Sequence, residues 1–209
     1  TYNRSSLVSR AIFSVLQQGD FLGELIIVDD GSDDDTGAII DARFKRENII
    51  YQRTENRGPA AARNVGVELA RFPLIAFIDS DDHWQPDKLA KQLQFMNDNP
   101  QYVISHTEEK WYRRGKHLNK KNIHHPRHGN IFSHCLKLCA VGMSTVIMIK
   151  EIFVACGGFD ESLPCCEDYD LWLRLSWQHE FLLVPHALTI KEGGREDQLS
   201  WQYRVGSGR

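Results

Sequence analysis

No stretch of this sequence reaches the roughly 18 consecutive apolar residues that a membrane-spanning helix needs, so nothing in it reads as a transmembrane segment. Phosphate-loop and glycine-rich dinucleotide fingerprints are missing too, which argues against a kinase, an ATPase or a nicotinamide-dependent enzyme. The five cysteines, Cys135, Cys139, Cys156, Cys165 and Cys166, contain no Cys-x-x-Cys pair. An odd count without a regular framework points away from a disulfide-stapled secreted domain and toward a reducing, cytoplasmic setting. Cys135 and Cys139 stand one helical turn apart on an apolar segment, where core packing explains them better than zinc. Excess charge is absent as well. A net charge of −3 over 209 residues gives no global attraction to nucleic acid. Neither an internal repeat nor a low-complexity tract occurs.

What is present alternates between two periodicities. Val8, Ala11, Ile12, Val15 and Leu16 recur at helical spacing up to Gly19, and Leu25–Val28 is a short apolar run that reads as a buried strand. A helix capped by Ser32 or Asp33 follows, then a strand over Ile49–Gln52, a helix opened by Pro59, a strand over Leu74–Ile78 and a helix from Pro86. Such alternation predicts an α/β fold with a mostly parallel central sheet flanked by helices, whose ligands sit at the carboxyl ends of the strands. Thr1-Tyr2-Asn3-Arg4 stands immediately before a helix, and the alternation leads us to expect a first strand ahead of it that this sequence lacks. Further on, Ile131–Cys139 is predicted helical, Thr145–Ile149 extended, and the segment around Leu171, Trp172 and Leu175 an amphipathic helix.

Four clusters bear chemistry. Ile78-Asp79-Ser80-Asp81-Asp82 places three carboxylates in four residues after an apolar strand. That density is unfavourable unless a cation sits among them, and hard oxygen ligands suit Mg²⁺ or Mn²⁺. Neither acidic cluster has the glycine and glutamate of an EF-hand loop. Val28-Asp29-Asp30-Gly31-Ser32 offers acceptors for a base or ribose, or simply a turn with a helix cap. Asn56-Arg57-Gly58-Pro59-Ala60-Ala61-Ala62-Arg63-Asn64 permits close backbone approach at a helix start, suited to phosphate, and equally permits tight helix packing. Glu167-Asp168-Tyr169-Asp170 opens a helix, where the macrodipole favours acids and where a general base can project into a cleft.

Taken in order, Thr1-Tyr2-Asn3-Arg4, VDDGS, NRGPAAARN, IDSDD, GGFDE and EDYDLWLR resemble the large family-2 glycosyltransferases of GT-A fold. The resemblance spans nearly the whole chain and is densest over residues 1–100 and 157–176. It implies a single domain over 1–209, with a nucleotide-sugar half over 1–100 and an acceptor half over 101–209. It implies that Thr1, Asn3, Asp29, Asp30, Arg63, Asp79 and Ser80 surround the donor and that Asp81 with Asp79 binds Mg²⁺ or Mn²⁺. It further implies that Asp168 is the base, with Glu167 beside it. The expected activity is inverting transfer from a nucleoside-diphosphate sugar, by family frequency a UDP-sugar, to an acceptor hydroxyl on a glycan, a lipid-linked sugar or a protein. The rival readings are a sugar-phosphate nucleotidyltransferase, whose glycine-rich first loop is absent, and a non-catalytic nucleotide-sugar-binding module. His186 is the late candidate to set beside the diphosphate, and Arg195 in Gly193–Gln198 is a candidate phosphate clamp or a plain surface loop. Residues 110–128 carry seven Lys and Arg, four His and no acid. They read as a solvated loop or as a contact with an anionic acceptor or the inner face of a membrane. Nearby Trp111 and Tyr112 offer a sugar-stacking surface.

Overall fold

A computed structural model describes residues 1–194. Helix α1 (Val8–Leu16) buries Val8, Ala11, Ile12 and Val15, the residues that recur every three or four positions. It is followed by β1 (Leu25–Asp29), α2 (Thr36–Arg43), β2 (Ile49–Arg53) and α3 (Pro59–Leu69), which starts on its proline. Then come β3 (Leu74–Ala76), β4 (His83–Trp84), α4 (Lys88–Asp98), β5 (Ile104–Arg113) and β6 (Lys116–Leu118). The described chain ends with α5 (Phe132–Cys135), β7 (Ile147–Ile149), α6 (Lys150–Ala155), α7 (Glu167–Gln178) and β8 (Phe181–Gly193). No described helix is long and apolar enough to cross a membrane.

Strands β1 and β2 pair in parallel, Leu25 opposite Ile49 through Asp29 opposite Arg53. The other six form one mixed sheet in the order β3-β7-β5-β8-β4, with β6 beside β5. Within it only β5 and β8 run parallel, over Ile104–Arg113; the β3–β7, β4–β8, β5–β6 and β5–β7 pairs are antiparallel. The expectation of a mostly parallel sheet therefore holds for β1–β2 and β5–β8 and is corrected elsewhere. Parallel neighbours need a long crossover. Between β5 and β6 there are only Arg114 and Gly115, both at positive φ (50° and 74°), which closes a tight hairpin instead. The β5–β8 register shifts after Thr107, where Pro185 and His186 are extra residues on β8. Proline cannot donate to the ladder, so a bulge forms there.

Two local expectations change. Asp34, rather than Ser32 or Asp33, fixes the start of α2 by accepting from Thr36 N at 2.9 Å and from its hydroxyl. The helix expected over Ile131–Cys139 is confined to Phe132–Cys135.

Two apolar clusters make the core. One joins α1, β1, Phe44, Leu89 and Met96; the other joins Ile104, Val146, Phe153, Leu171, Trp172 and Phe181. Between β1 and β3 no ladder forms, and an apolar cleft of about 480 Å³ lies there.

Candidate active site

The turn after β3 gathers Asp79, Asp81 and Asp82 so that one carboxylate oxygen from each lies within 4.8 Å of the others. Asp82 is 2% exposed; its two oxygens accept from the Ser144 hydroxyl at 2.8 Å and from Glu192 N at 3.2 Å. Burial, and then the charge of Asp79, push the Asp82 carboxyl well above the ordinary range. Burial would raise Asp79 as well, but the Arg63 guanidinium beside it holds it below its usual value. Three converging carboxylates with one of them pushed up are a donor set that a divalent cation relieves, so the residues fit Mg²⁺ or Mn²⁺. The family resemblance implied Asp79 and Asp81 for the metal; the geometry gathers Asp82 with them. Ser80 lies in the same turn and lines the apolar cleft.

Arg63, from α3, joins this turn to the second acidic motif. It donates to Asp79 Oδ1 at 2.8 Å and to Glu167 Oε1 at 2.6 Å, and its guanidinium lies 5.5 Å from the Phe159 ring centroid. Glu167 and Asp168 occupy the first turn of α7, which also carries Asp170, as expected for acids at a helix start. Asp168 Oδ1 accepts from Tyr169 N at 2.8 Å, and the Cys139 thiol approaches Oδ2 at 3.5 Å. Burial, and then the charge of Glu167, raise Asp168 above the usual carboxylate pKa. Burial likewise pushes the Cys139 thiol up, so that it stays a neutral donor.

The acids of β1 are arranged differently. Asp29 accepts from Ser32 N at 2.9 Å and from the Tyr51 hydroxyl at 2.8 Å. Asp30 accepts from Arg57 N at 2.9 Å and Gly58 N at 2.8 Å, fixing the loop that opens α3. Asn3, at φ 49°, receives Asp33 N on its side-chain oxygen at 2.8 Å. The Thr1 amino group donates to Val28 O at 2.7 Å, and the Thr1 hydroxyl is buried without a partner. The structure thus brings Thr1, Asp29, Asp30, Arg63 and Asp79 to one end of β1 and β3.

One site residue escaped the sequence reading. Lys191, on β8, is half-buried among Glu109, Asp82, Asp79 and Asp168; desolvation lowers its pKa, and those four charges raise it above the usual lysine value. Its only sequence signal is a lysine in an apolar strand. His186 is exposed and packs edge-on against Phe95 of α4. Arg195 lies outside the described residues. The basic stretch folds back in part. The Lys120 side chain is 6% exposed and 3.7 Å from Glu108, and Trp111 sits between it and His124.

With the site in place, relatives can be set beside it. Residues 1–153 match the family described as glycosyl transferase family 2. An uncharacterized glycosyltransferase of Rickettsia felis is 37% identical over 177 residues, 84% of this chain and 29% of that protein. The chain therefore spans about three-tenths of that relative. The Escherichia coli UDP-Glc:alpha-D-GlcNAc-diphosphoundecaprenol beta-1,3-glucosyltransferase WfaP is 31% identical over 179 residues, 83% of this chain and 66% of its own length. S. aureus TarS 1-349, solved in complex with UDP-GlcNAc, superposes with a TM-score of 0.77 at 20% identity, over 95% of this chain and 58% of that one. That likeness establishes the fold as GT-A. The 153-residue match, together with relatives above 30% identity, makes this chain a member of glycosyl transferase family 2.

Proposed function

We infer that this domain transfers a glycosyl group from a nucleoside-diphosphate sugar to an acceptor hydroxyl with inversion, using a divalent metal. The observation that carries the reading is Arg63. By bonding both Asp79 and Glu167 it holds the acidic turn after β3 against the acidic start of α7. In this reading Thr1, Asn3, Asp29, Asp30, Arg63, Asp79 and Ser80 form the donor side, Asp81 with Asp79 holds Mg²⁺ or Mn²⁺, and Asp168 faces the acceptor. The donor is a UDP-sugar, in keeping with the UDP-glucose of the WfaP name and the UDP and UDP-GlcNAc complexes of TarS. Arg195 and the 110–128 stretch are assigned to the donor phosphates and to an anionic acceptor or membrane face. The setting is cytoplasmic.

The step balances as a single displacement. The acceptor oxygen bonds to the anomeric carbon, its proton passes to Asp168, and the bond to the β-phosphate oxygen breaks with its electron pair leaving on the diphosphate. A metal held by Asp79 and Asp81 supplies Lewis-acid neutralisation of that charge. The raised pKa of Asp168 makes it a better proton acceptor than a solvent-exposed carboxylate, and the Cys139 thiol and Tyr169 amide hold its two oxygens in place.

Thermal-shift titration with UDP, GDP, CDP and dTDP, each with and without Mn²⁺, tests the donor side, since a ligand of the folded state raises the melting temperature. The expected result is a UDP shift that requires Mn²⁺ and disappears in Asp81→Asn. A metal-independent shift that survives the substitution removes the metal from the reading.

A further inference from the structure

The acidic turn 79–82 belongs to the first half of the chain, but much of what holds it belongs to the second. Its backbone closes on itself through Asp82 N, which donates to Asp79 O at 2.9 Å. A bond of that kind fixes the bend of a turn and leaves its side chains free to choose among rotamers. The direction of the carboxylates has to be set by other parts of the fold.

Ser144, in the short turn Met143–Thr145 ahead of β7, reaches both ends of the bend with one hydroxyl. Its Oγ accepts from Asp79 N at 3.0 Å and donates to Asp82 Oδ2 at 2.8 Å. Its carbonyl is held as well, accepting from Trp84 Nε1 at 2.8 Å and from the Thr189 hydroxyl of β8 at 3.0 Å. Ser144 is 1% exposed, and Trp84 and Thr189 are also buried. Beside it the Thr145 carbonyl accepts from Gln92 of α4 at 3.0 Å. A serine hydroxyl has a single proton to give, and here Asp82 receives it. Deleting the hydroxyl would strand an amide and a carboxylate oxygen together.

We propose that Ser144 is a positioning residue for the cation site. By tying Asp79 N to the Asp82 carboxylate it sets how Asp79, Asp81 and Asp82 converge, and through that the affinity for a divalent metal. The proposal rests on the reading of this turn as a cation site. The bonds of the Ser144 hydroxyl are spent within the protein, so it acts through Asp79 and Asp82 rather than on the metal itself. Carboxylates that bind a metal are themselves held by hydrogen bonds, and losing such a partner costs about 10- to 100-fold in affinity. Trp84 and Thr189 carry the same support into β4 and β8, so the strand that brings Lys191 also steadies the turn.

The test is Mn²⁺ titration in the presence of UDP, read from the electron paramagnetic resonance of the free ion, on wild type, Ser144→Ala, Thr189→Val and Ser176→Ala. Ser176 is buried and its hydroxyl donates to Leu173 O within α7, so it reports what losing a buried hydroxyl does by itself. Ser144→Ala should weaken Mn²⁺ binding by about tenfold or more. Thr189→Val keeps the side-chain shape and removes one of two donors to the Ser144 carbonyl; it should weaken binding by about threefold. Ser176→Ala should bind as wild type does, whatever its melting temperature. Unchanged affinity in Ser144→Ala overturns the proposal, and if that variant fails to fold, unchanged affinity in Thr189→Val does so. An equal loss in Ser176→Ala also overturns it, because the effect would then be one of general stability. A wild type that binds no Mn²⁺ removes the cation reading itself, whereas Mn²⁺ binding indifferent to Ser144 removes only the proposal.

Discussion

Val28-Asp29-Asp30-Gly31-Ser32 and Ile78-Asp79-Ser80-Asp81-Asp82 look alike in sequence: an apolar strand running into a short acidic turn. Their carboxylates live in different surroundings. In the first turn each of the four oxygens of Asp29 and Asp30 accepts a hydrogen bond from a protein donor. In the second, three carboxylates converge within 4.8 Å, and the buried Asp82 is pushed toward its neutral form. Acid density therefore does not separate the two turns. Both take hydrogen bonds from neutral donors, Asp82 from Ser144 and Glu192 N included; convergence and mutual repulsion of three carboxylates mark only the second.

Four substitutions sharpen that contrast. The largest effect is expected from Asp168→Asn, which removes the base: turnover falls by about a thousandfold, while the Mn²⁺-dependent UDP thermal shift persists. Asp81→Asn, or chelation of the wild type with EDTA, lowers transfer by about a hundredfold. Excess Mn²⁺ restores the chelated enzyme only. Because the substitution removes a repulsive charge, the melting temperature of metal-free Asp81→Asn should not fall. Asp30→Ala should do the reverse. It strands the amides of Arg57 and Gly58 and costs about 2–3 kcal/mol of stability, readable as a lower urea midpoint. Loss of metal dependence with intact stability in Asp30→Ala would interchange the roles of the two turns. The smallest effect is on pH. Glu167 raises the Asp168 pKa, so Glu167→Gln should move the acidic limb of the rate profile to lower pH, with Asp168 staying ionised further into acid. An unmoved limb would detach that limb from Asp168.

Much of the first hundred residues was legible because local signals agree there. Apolar runs end in acids, Pro59 opens a helix, and α1, β1, β2 and α4 fall close to where periodicity places them. The second half hid its two longest strands. Strand β5 begins Ile104-Ser105-His106-Thr107, whose polar members are buried, with Ser105 bonded to Gln92 of α4 and His106 to the Arg127 carbonyl. Its basic end read as a loop, and β8 carries Pro185, which usually argues against a strand interior. Those partners are fixed by tertiary pairing, which no local pattern records. The same holds at the site: the motifs named Asp79, Asp81, Glu167 and Asp168, but the ammonium of Lys191 among them depends on β8 pairing with β5. That Asp30 braces a loop likewise follows only from where Arg57 and Gly58 fold back.

Arg63 has a consequence for the order in which this protein becomes competent. Its bond to Asp79 closes a loop of 16 residues, whereas its bond to Glu167 closes one of 104. Long loops close at greater entropic expense, and such contacts form late. A chain emerging from synthesis can pair Arg63 with Asp79 while α7 is still unmade. It still lacks Ser144 and Glu192, which hold Asp82, and the helix that carries Asp168. On the proposed roles, a half-built molecule therefore has neither a finished cation turn nor a base.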